Sequence, residues 1–461
     1  MKPASLEAYR LLHEGSLALA QIEGNGMKID MPYLEKALET TQTKIWEKEE
    51  ELKESKTFKL WTKHYGNKTK LGSHEQLGHL IFTVLEYPCT SYTPTGRPST
   101  AEEAVEAVGL PFVKDWLYVQ KLKKTRSTFL EGIRREVVDG KLHPFFNLNT
   151  TISYRPSSDR PNFQNLPVRD PEMGELVRRC FIPRKGYLLG DVDYVGIEVK
   201  IAACYHKDPT MLTYIKDPTK DMHRDMASQC YLLKANEVSK KTRYCGKNKF
   251  VFPQFYGDYY IRCAASLWNA IHQMKLEVEG TGLPLEKHLA QKGITKLGKC
   301  NPKQKPVKGT FEYHIKNVED DFWGRRFKKY KQWKDRWHAS YQEEGGFNTL
   351  VGFRVDGFLT RNQVINLPIQ GDASHCLLWS VIQLQKWLNK YKMKTKILGL
   401  IHDSLVPDIY KPELGDVLDR VRQIMTVDLP KAWDWINVPL DVEIEISQTN
   451  WFEKKPYKEA M

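Results

Sequence analysis

An acid set at the end of an apolar run is the feature that most restricts this chain. In Leu188-Leu189-Gly190-Asp191-Val192-Asp193-Tyr194-Val195-Gly196-Ile197-Glu198, apolar residues flank Gly190 and read as a short buried strand. Beyond it, Ile197, Ile201, Ala202 and Ala203 fall on one face of a helix. Asp193 is therefore expected at a strand-to-helix junction. Alone, such an Asp is most simply a helix cap. At the end of a sheet, a carboxylate is also where hard cations such as Mg²⁺ are held together with substrate phosphates.

A second acid of the same kind lies far downstream. Lys396-Ile397-Leu398-Gly399-Leu400-Ile401-His402-Asp403-Ser404-Leu405-Val406-Pro407 is an apolar run broken by three polar residues, and reads as a hairpin whose turn carries Asp403. Two sheet-borne carboxylates brought together can bridge a pair of divalent ions, the arrangement that stabilises attacking and leaving oxygens in phosphoryl or nucleotidyl transfer. Each acid is ambiguous; the pair is informative.

The length of 461 residues allows two or three domains, and 41% hydrophobic content supplies ordinary cores. A net charge of +13 favours a polyanionic partner, because Lys and Arg that neutralise phosphates release counterions. The eight cysteines form no Cys-x-x-Cys pair and no metal-ligand grouping with histidine, and read as thiols of a reducing compartment. No apolar run reaches the roughly 18 residues of a membrane span, and nothing at the start resembles a signal peptide. A cytoplasmic or nucleoid-associated protein without a membrane partner is expected.

Along the chain, residues 5 to 22 have helical periodicity that stops at Gly24-Asn25-Gly26, and Asp30 opens a second helix through Ile45. The chain reads as mostly helical to about Gly140. Lys121, Lys123, Lys124, Arg126, Arg134 and Arg135 cluster around a helix expected to end at Gly132, as a solvated face or as a grip on a phosphate backbone. Tyr92 to Thr100 reads as a loop, with a helix from Ala101. From His143 to Asp170, residues such as Asn147, Asn149, Arg155, Asn162, Gln164 and Asn165 make a polar strip suited to hydrogen bonding with sugar, phosphate and base edges.

Between the two acids, Asp221-Met222-His223-Arg224 opens one helix and Ser239 to Arg243 another, on which Arg243 and Lys247 share a face. Two cations there could hold a triphosphate. The helix meets Pro253 and ends at Phe255-Tyr256-Gly257. Residues 280 to 317, rich in Lys, Gly and Pro, suggest a loose insertion, with helix again from Val318 to Glu343. An apolar helix from Asn366 through Leu388 and an alternating strand from Val438 to Ile446 complete the chain.

Together these motifs resemble family A DNA polymerases, more closely the short bacteriophage enzymes. Asp193-Tyr194-x-x-Ile197-Glu198 is similar to the family's first catalytic motif, Arg243-x3-Lys247 with Tyr256-Gly257 to its fingers-helix motif, and His402-Asp403 to its second catalytic motif. Arg155, Pro161-Asn162-x-Gln164-Asn165-Leu166-Pro167 and Asn366-x-Pro368-x-Gln370-Gly371 match three more segments in the right order. The resemblance implies an α/β (α+β) right-hand fold. Its parts would be N-terminal helices and thumb over 1–142, an antiparallel palm sheet over 143–205 and 346–461, and mostly helical fingers over 206–345 with an insertion at about 258–317.

The resemblance also implies template-directed addition of deoxynucleotides to a primer 3′-hydroxyl. Asp193, Asp403 and the Tyr194 backbone carbonyl would hold two Mg²⁺, or Mn²⁺ in their place. Arg243, Lys247 and His223 would hold the triphosphate, Lys247 acting also as general acid toward pyrophosphate. Glu198 would exclude a 2′-hydroxyl, and Tyr256 would stack beside the templating position. Arg155, Asn162, Gln164, Asn165, Gln370 and His402 would contact primer and template. The partners implied are primer–template DNA and dNTPs, with a separate exonuclease, processivity factor or helicase as further candidates, and phage replication in the host cytoplasm as the setting.

Three departures from the family pattern stand out. One extra residue lies between Lys247 and Tyr256, so the aromatic expected to face the nucleotide sugar is Phe252 only if a kink or π-bulge near Pro253 absorbs it, with Phe250 as the fallback. Ser404 replaces the usual Glu, and Gly196 a more usual Gln. The family-like segments begin within residues 5 to 30, which leaves no room upstream for a proofreading exonuclease on this chain. A single-subunit RNA polymerase and a non-catalytic nucleic-acid-binding protein of the same fold are the competing readings; Glu198 argues against the first, and retention of both acids against the second.

Overall fold

A computed structural model describes residues 2–89, 92–93, 96–106, 108–168 and 170–457. Its centre is a five-stranded antiparallel sheet. The strands are β1 (Tyr187–Tyr194), β2 (Lys396–Ile401), β3 (Ser404–Tyr410), β4 (Val442–Ser447) and β5 (Lys455–Pro456), in the order β2-β3-β1-β4-β5. The first apolar run thus becomes the middle strand, as burial on both sides of Gly190 requires. A Cβ at Gly190 would lie 2.8 Å from the Pro407 ring on β3. The tail forms β4 only from Val442, four residues later than its alternation suggests.

Helices pack against this sheet on an apolar core that joins α1 (Leu6–Asn25) to Val192, Ile201, Leu377, Leu405 and Ile444. Ser5 caps α1 through a 3.0 Å bond from Ala8 N–H, and Gly26 at φ +63 lies just past its end. The second helix, α2 (Met31–Glu54), is capped by Asp30 as expected but runs nine residues past Ile45, carrying Leu52 into a core with Trp61 and Trp116. The cationic helix does not stop at Gly132: Pro111–Lys124 continues through a π turn to Glu136. Most of its charges are matched by acids. Lys121 meets Glu102 at 2.7 Å, Lys123 meets Glu49, Arg134 meets Glu35 at 3.5 Å and Arg135 meets Glu136 at 2.8 Å. This pairing describes a solvated ion-paired face rather than a row of cations awaiting phosphates. Of the loop Tyr92–Thr100, Pro94 and Thr95 lie outside the described residues; a short helix, Glu102–Glu106, comes after it.

Between β1 and β2 the chain forms a helical body with its own core. Helices α3 (Ile197–His206), α4 (Met222–Tyr231), α5 (Lys240–Gly246) and α6 (Tyr260–Gln273) contribute to it. Residues 280–317 are not loose throughout, as their Gly and Pro content suggests. Leu285–Gln291 is helical, and Leu285, Leu289, Ile294, Phe311 and Ile315 are buried in that core. Helix is also present earlier than Val318, over Phe311–Asp321, and is broken by a π turn before Lys328–Glu344.

The apolar helix α7 is longer than its periodicity suggests, running from Arg361 to Lys390. Thr360 accepts Gln363 N–H at 3.3 Å while the Gln363 side chain accepts Thr360 N–H at 2.9 Å, a reciprocal cap that fixes the start. Pro368 then sits inside the helix without an N–H for the Val364 carbonyl. Trp337 supplies one instead: its indole N–H donates to that carbonyl at 3.1 Å. Replacing Trp337 by Phe should therefore lower stability by about 1–2 kcal/mol, since it strands a buried acceptor. In a Pro368→Ala background the restored N–H should reduce that loss. Thermal unfolding of the four proteins of this cycle checks the coupling, which equal losses in both backgrounds would exclude.

Candidate active site

Strand β1 carries two acids on one face, Asp191 and Asp193, and they have different fates. Asp191 is buried and meets Lys454 at 2.5 Å, with the Trp451 indole 3.4 Å away. Asp193, two residues on and nearer the strand end, faces Ser404 on β3 and Glu443 on β4. Among the described residues no cation forms an ion pair with it. Asp403 is beside it: His402 and Asp403 make the two-residue turn between Ile401 and Ser404, with His402 at φ +54. Tyr194 N–H donates to the Asp403 carbonyl at 3.3 Å, tying the turn to the end of β1.

Asp193 keeps an exposed edge, yet partial withdrawal from water at the strand end and the neighbouring Asp403 push its carboxyl up to about 7. Asp403 is also raised, chiefly by burial, with Arg155 acting against the shift from 4.0 Å. Arg155 also lies 3.4 Å from His402 Nδ1, so Arg155 and His402, both expected at the primer end, are neighbours. Ser404 is buried and turns its hydroxyl to the Ile401 carbonyl at 3.2 Å, inside its own hairpin. A Glu is thus replaced by a residue that stays within the turn, and the acid pair is left intact.

Gly196 joins β1 to α3 at φ +61, ψ 41, a left-handed conformation that favours glycine over the Gln common in the family; open space surrounds its Cβ position, so backbone conformation alone explains it. The tight junction sets Glu198 in the first turn of α3, where its carboxylate accepts the Tyr256 hydroxyl. Both line a cavity of about 250 Å³ with Phe252, Phe255, Tyr330, Asn366, Gln370 and Asp403. Burial and Glu198 raise the Tyr256 hydroxyl well above its ordinary value, so it remains a donor.

The cations come from α4 and α5. Gly246 lets these helices touch, since a Cβ there would lie 2.8 Å from the His223 carbonyl oxygen. Arg243 is not idle: its Nε donates to Asp221 at 2.6 Å, while the other Asp221 oxygen caps α4 by accepting His223 and Arg224 N–H at 3.1 Å each. This orienting role of Asp221 has no sequence signal beyond that of a helix start. Burial, with Lys247 and Arg243 adding to it, drives the His223 imidazole down to about 4 and keeps it neutral. Its ring stands edge-on to Phe252 at 5.6 Å, and Lys247 Nζ lies 5.2 Å from the Phe252 ring centre.

The extra residue of this helix is absorbed by a π turn over Lys247–Val251, immediately before Phe252–Phe255. Phe250 is fully buried against Phe322, whereas Phe252 lines the cavity. In the polar strip, Asn162 accepts Gln164 and Asn165 N–H at 3.0 and 3.2 Å, and the Gln164 amide donates to the Pro156 carbonyl. Those two side chains hold the turn together, while Phe163 anchors it in the core with Phe181 and Trp451.

The donor set at the strand ends suits a divalent cation, because among the described residues the two crowded carboxylates form one ion pair, Asp403 with Arg155 at the 4.0 Å limit, and Lys454 acts on Asp193 only from a distance. Among the described residues there is no cluster of three or more His, Cys, Asp or Glu that could hold a metal by itself, so further ligands would have to be backbone, water or phosphate. No helix of the described residues is long and apolar enough to cross a membrane.

The sequence matches the family model for DNA polymerase family A over residues 35–274 and 317–453. It is 27% identical over 456 residues to the thermostable DNA polymerase I of Thermus filiformis, covering 95% of this chain and 47% of that protein. It is 26% identical over 382 residues to the DNA polymerase of Bacillus phage SP01, covering 78% of this chain and 37% of that one. The chain thus spans about half the length, or less, of these curated relatives. The fold is similar to the POL domain of Pol1 from M. smegmatis, solved with DNA primer-template and dNTP, with a TM-score of 0.74 and 23% identity over 96% of this chain and 70% of that one. With the family match covering most of its residues, the chain belongs to DNA polymerase family A.

Proposed function

We propose that this chain is a DNA-directed DNA polymerase that extends a primer 3′-hydroxyl along a template. The observation that carries the reading is one cavity lined by Asp403, Glu198, Tyr256 and Phe252, with Asp193 crowding Asp403 at its edge and Lys247 and His223 packed around Phe252. In this reading β1 to β5 form the palm, residues 206–345 the fingers and the N-terminal helices the thumb. The presence of a bacteriophage enzyme among the relatives supports phage replication in a host cytoplasm as the setting, where an exonuclease, processivity factor or helicase would act alongside.

Asp193, Asp403 and the Tyr194 carbonyl would hold two Mg²⁺, or Mn²⁺, which when bound neutralise phosphate charge and polarise the attacked phosphorus. Arg243, oriented by Asp221, and Lys247 grip the triphosphate, and neutral His223 offers a ring N–H to it. The primer 3′-hydroxyl loses its proton to water as its oxygen attacks the α-phosphorus, the bond to the bridging β-phosphate oxygen breaks, and Lys247 gives the departing pyrophosphate a proton that it regains from solvent. Phe252 supports the sugar. Glu198, held by the Tyr256 hydroxyl, occupies the space a 2′-hydroxyl would need. Arg155, His402, Gln370, Asn165, Asn162 and Gln164 face primer and template, the last two by fixing the shape of the strip.

Asp193→Ala or Asp403→Ala should abolish extension of a singly primed template while leaving duplex binding intact; unchanged incorporation by either variant would remove the acid pair from the chemistry. Glu198→Ala should raise ribonucleotide incorporation at least tenfold relative to deoxynucleotide, and unaltered discrimination would reject the gate.

A third test needs no turnover. The Asp193 carboxyl is raised when folded, so its favourable contribution is complete only at low pH and fades as pH rises from about 4 through 7. Asp193→Asn should therefore stabilise the cation-free protein above pH 7, by about 1 kcal/mol after allowance for solvent screening, with a smaller gain near pH 5. Added Mn²⁺ should raise the melting temperature of the parent but not of this variant. Equal responses in both would exclude Asp193 as a cation ligand.

A further inference from the structure

Between the two stretches that match the family lies a segment whose charge is one-sided. From Lys287 to Gly309 there are seven lysines, at 287, 292, 296, 299, 303, 305 and 308, and no acid. The seven amount to more than half of the chain's net +13. None of them has an ion-pair partner among the described residues, whereas Lys44, Lys48, Lys53, Lys121, Lys123 and Lys386 elsewhere on the surface are each matched by an acid. Unmatched like charges packed into so short a stretch repel one another, and that cost is relieved when a polyanion takes the place of the missing acids.

The segment is anchored rather than free. Leu285, Leu289 and Ile294 are buried in the core of the helical body. The buried carboxylate of Glu312 accepts Cys300 N–H at 3.0 Å, and the Phe311 and Glu312 amides donate to the Lys296 and Leu297 carbonyls at 2.9 and 2.7 Å. His288 and His314 meet the Leu232 and Gln229 carbonyls at 3.0 Å, so the segment is fixed to the C-terminal end of α4. His223 lies at the other end of that helix, about 15 Å away for ten residues. The lysines are therefore outside the cavity that holds Glu198 and Asp403.

The segment from Lys287 to Gly309 also contains no Phe, Tyr or Trp. Surfaces that hold single strands add aromatic platforms on which bases stack, whereas a lysine array without them can only grip phosphates, which are most closely spaced along a duplex. We propose that this lysine-bearing segment is a second DNA-binding surface, one that holds duplex DNA lying beyond the catalytic cavity through its phosphates and without sequence preference. In a polymerase that duplex is the unreplicated stretch ahead of the primer.

The test compares binding of the full chain to a one-nucleotide-gapped duplex and to the same primer–template lacking the downstream strand, by fluorescence anisotropy without nucleotide or divalent cation. The parent should bind the gapped duplex roughly tenfold more tightly at moderate salt, with a steeper salt dependence. The variant with Lys296→Gln, Lys299→Gln, Lys303→Gln, Lys305→Gln and Lys308→Gln should lose that preference, and its salt slope on gapped DNA should fall by about two or more, leaving the open primer–template unaffected. A preference retained by the variant would overturn the proposal. So would an equal loss on both substrates, a loss confined to the single-stranded overhang, or competition by polyglutamate as strong as by duplex of equal charge, which would point to an acidic protein. The inference goes beyond the polymerase reading and is measured without turnover: a chain that failed to extend primers yet bound gapped DNA through these lysines would retire that reading alone.

Discussion

The carboxylates of Asp193 and Asp403 repel one another, and the central sheet is arranged so that they stay together. β1 and β3 pair with Asp193 opposite Ser404, the two-residue turn leaves Asp403 next in line, and the Tyr194 amide bonds to its carbonyl. Burial adds to the cost, because water that would screen the pair is partly excluded. Hydrophobic contacts of Val192, Leu405 and Ile444 with the surrounding helices stabilise the sheet against this repulsion. The site is thus a place where folding free energy is spent to concentrate negative charge, and a cation relieves it.

The opposite wall depends on helix phase. Each residue of an α-helix turns the next by about 100°, so one extra residue between Lys247 and Phe252 would rotate the aromatic away from the face it shares with the cations. The π turn over Lys247–Val251 takes up that residue locally. Phe250 stays in the core and Phe252 reaches the cavity. Arg243 lies before the turn and keeps its own orientation through Asp221, whatever the phase of the residues beyond it.

How much of this is legible in the sequence varies with the range of the interactions. The strand ending at Asp193, the hairpin turn at Asp403 and the need for a bulge before Phe252 are local patterns, and they survive in the structure. The pairing of Arg243 with Asp221 spans two helices and leaves no periodic trace. The basic face of Lys121 to Arg135 looks available in the sequence because most of its acids, Glu49, Glu35 and Glu102, belong to other helices. Residues 280–317 look loose because glycine and proline obscure the few buried side chains, Leu285, Leu289 and Ile294, that anchor them. One local signal carries more than the apolar periodicity does: Thr360-x-x-Gln363 is a capping box, and it marks the start of α7 before that periodicity begins.

Lys454 lies beyond every motif of the site, yet it neutralises Asp191 directly beneath the acid pair, meeting it at 2.5 Å and Glu445 at 2.7 Å. Asp191 is on the same face of β1 as Asp193, so without Lys454 a third negative charge would bear on the pair from within the sheet. The segment after β4 therefore works as electrical insulation for the strand it covers: it sets how much negative potential reaches the cavity, and a change there would alter the cavity's attraction for cations without moving any of the residues that line it.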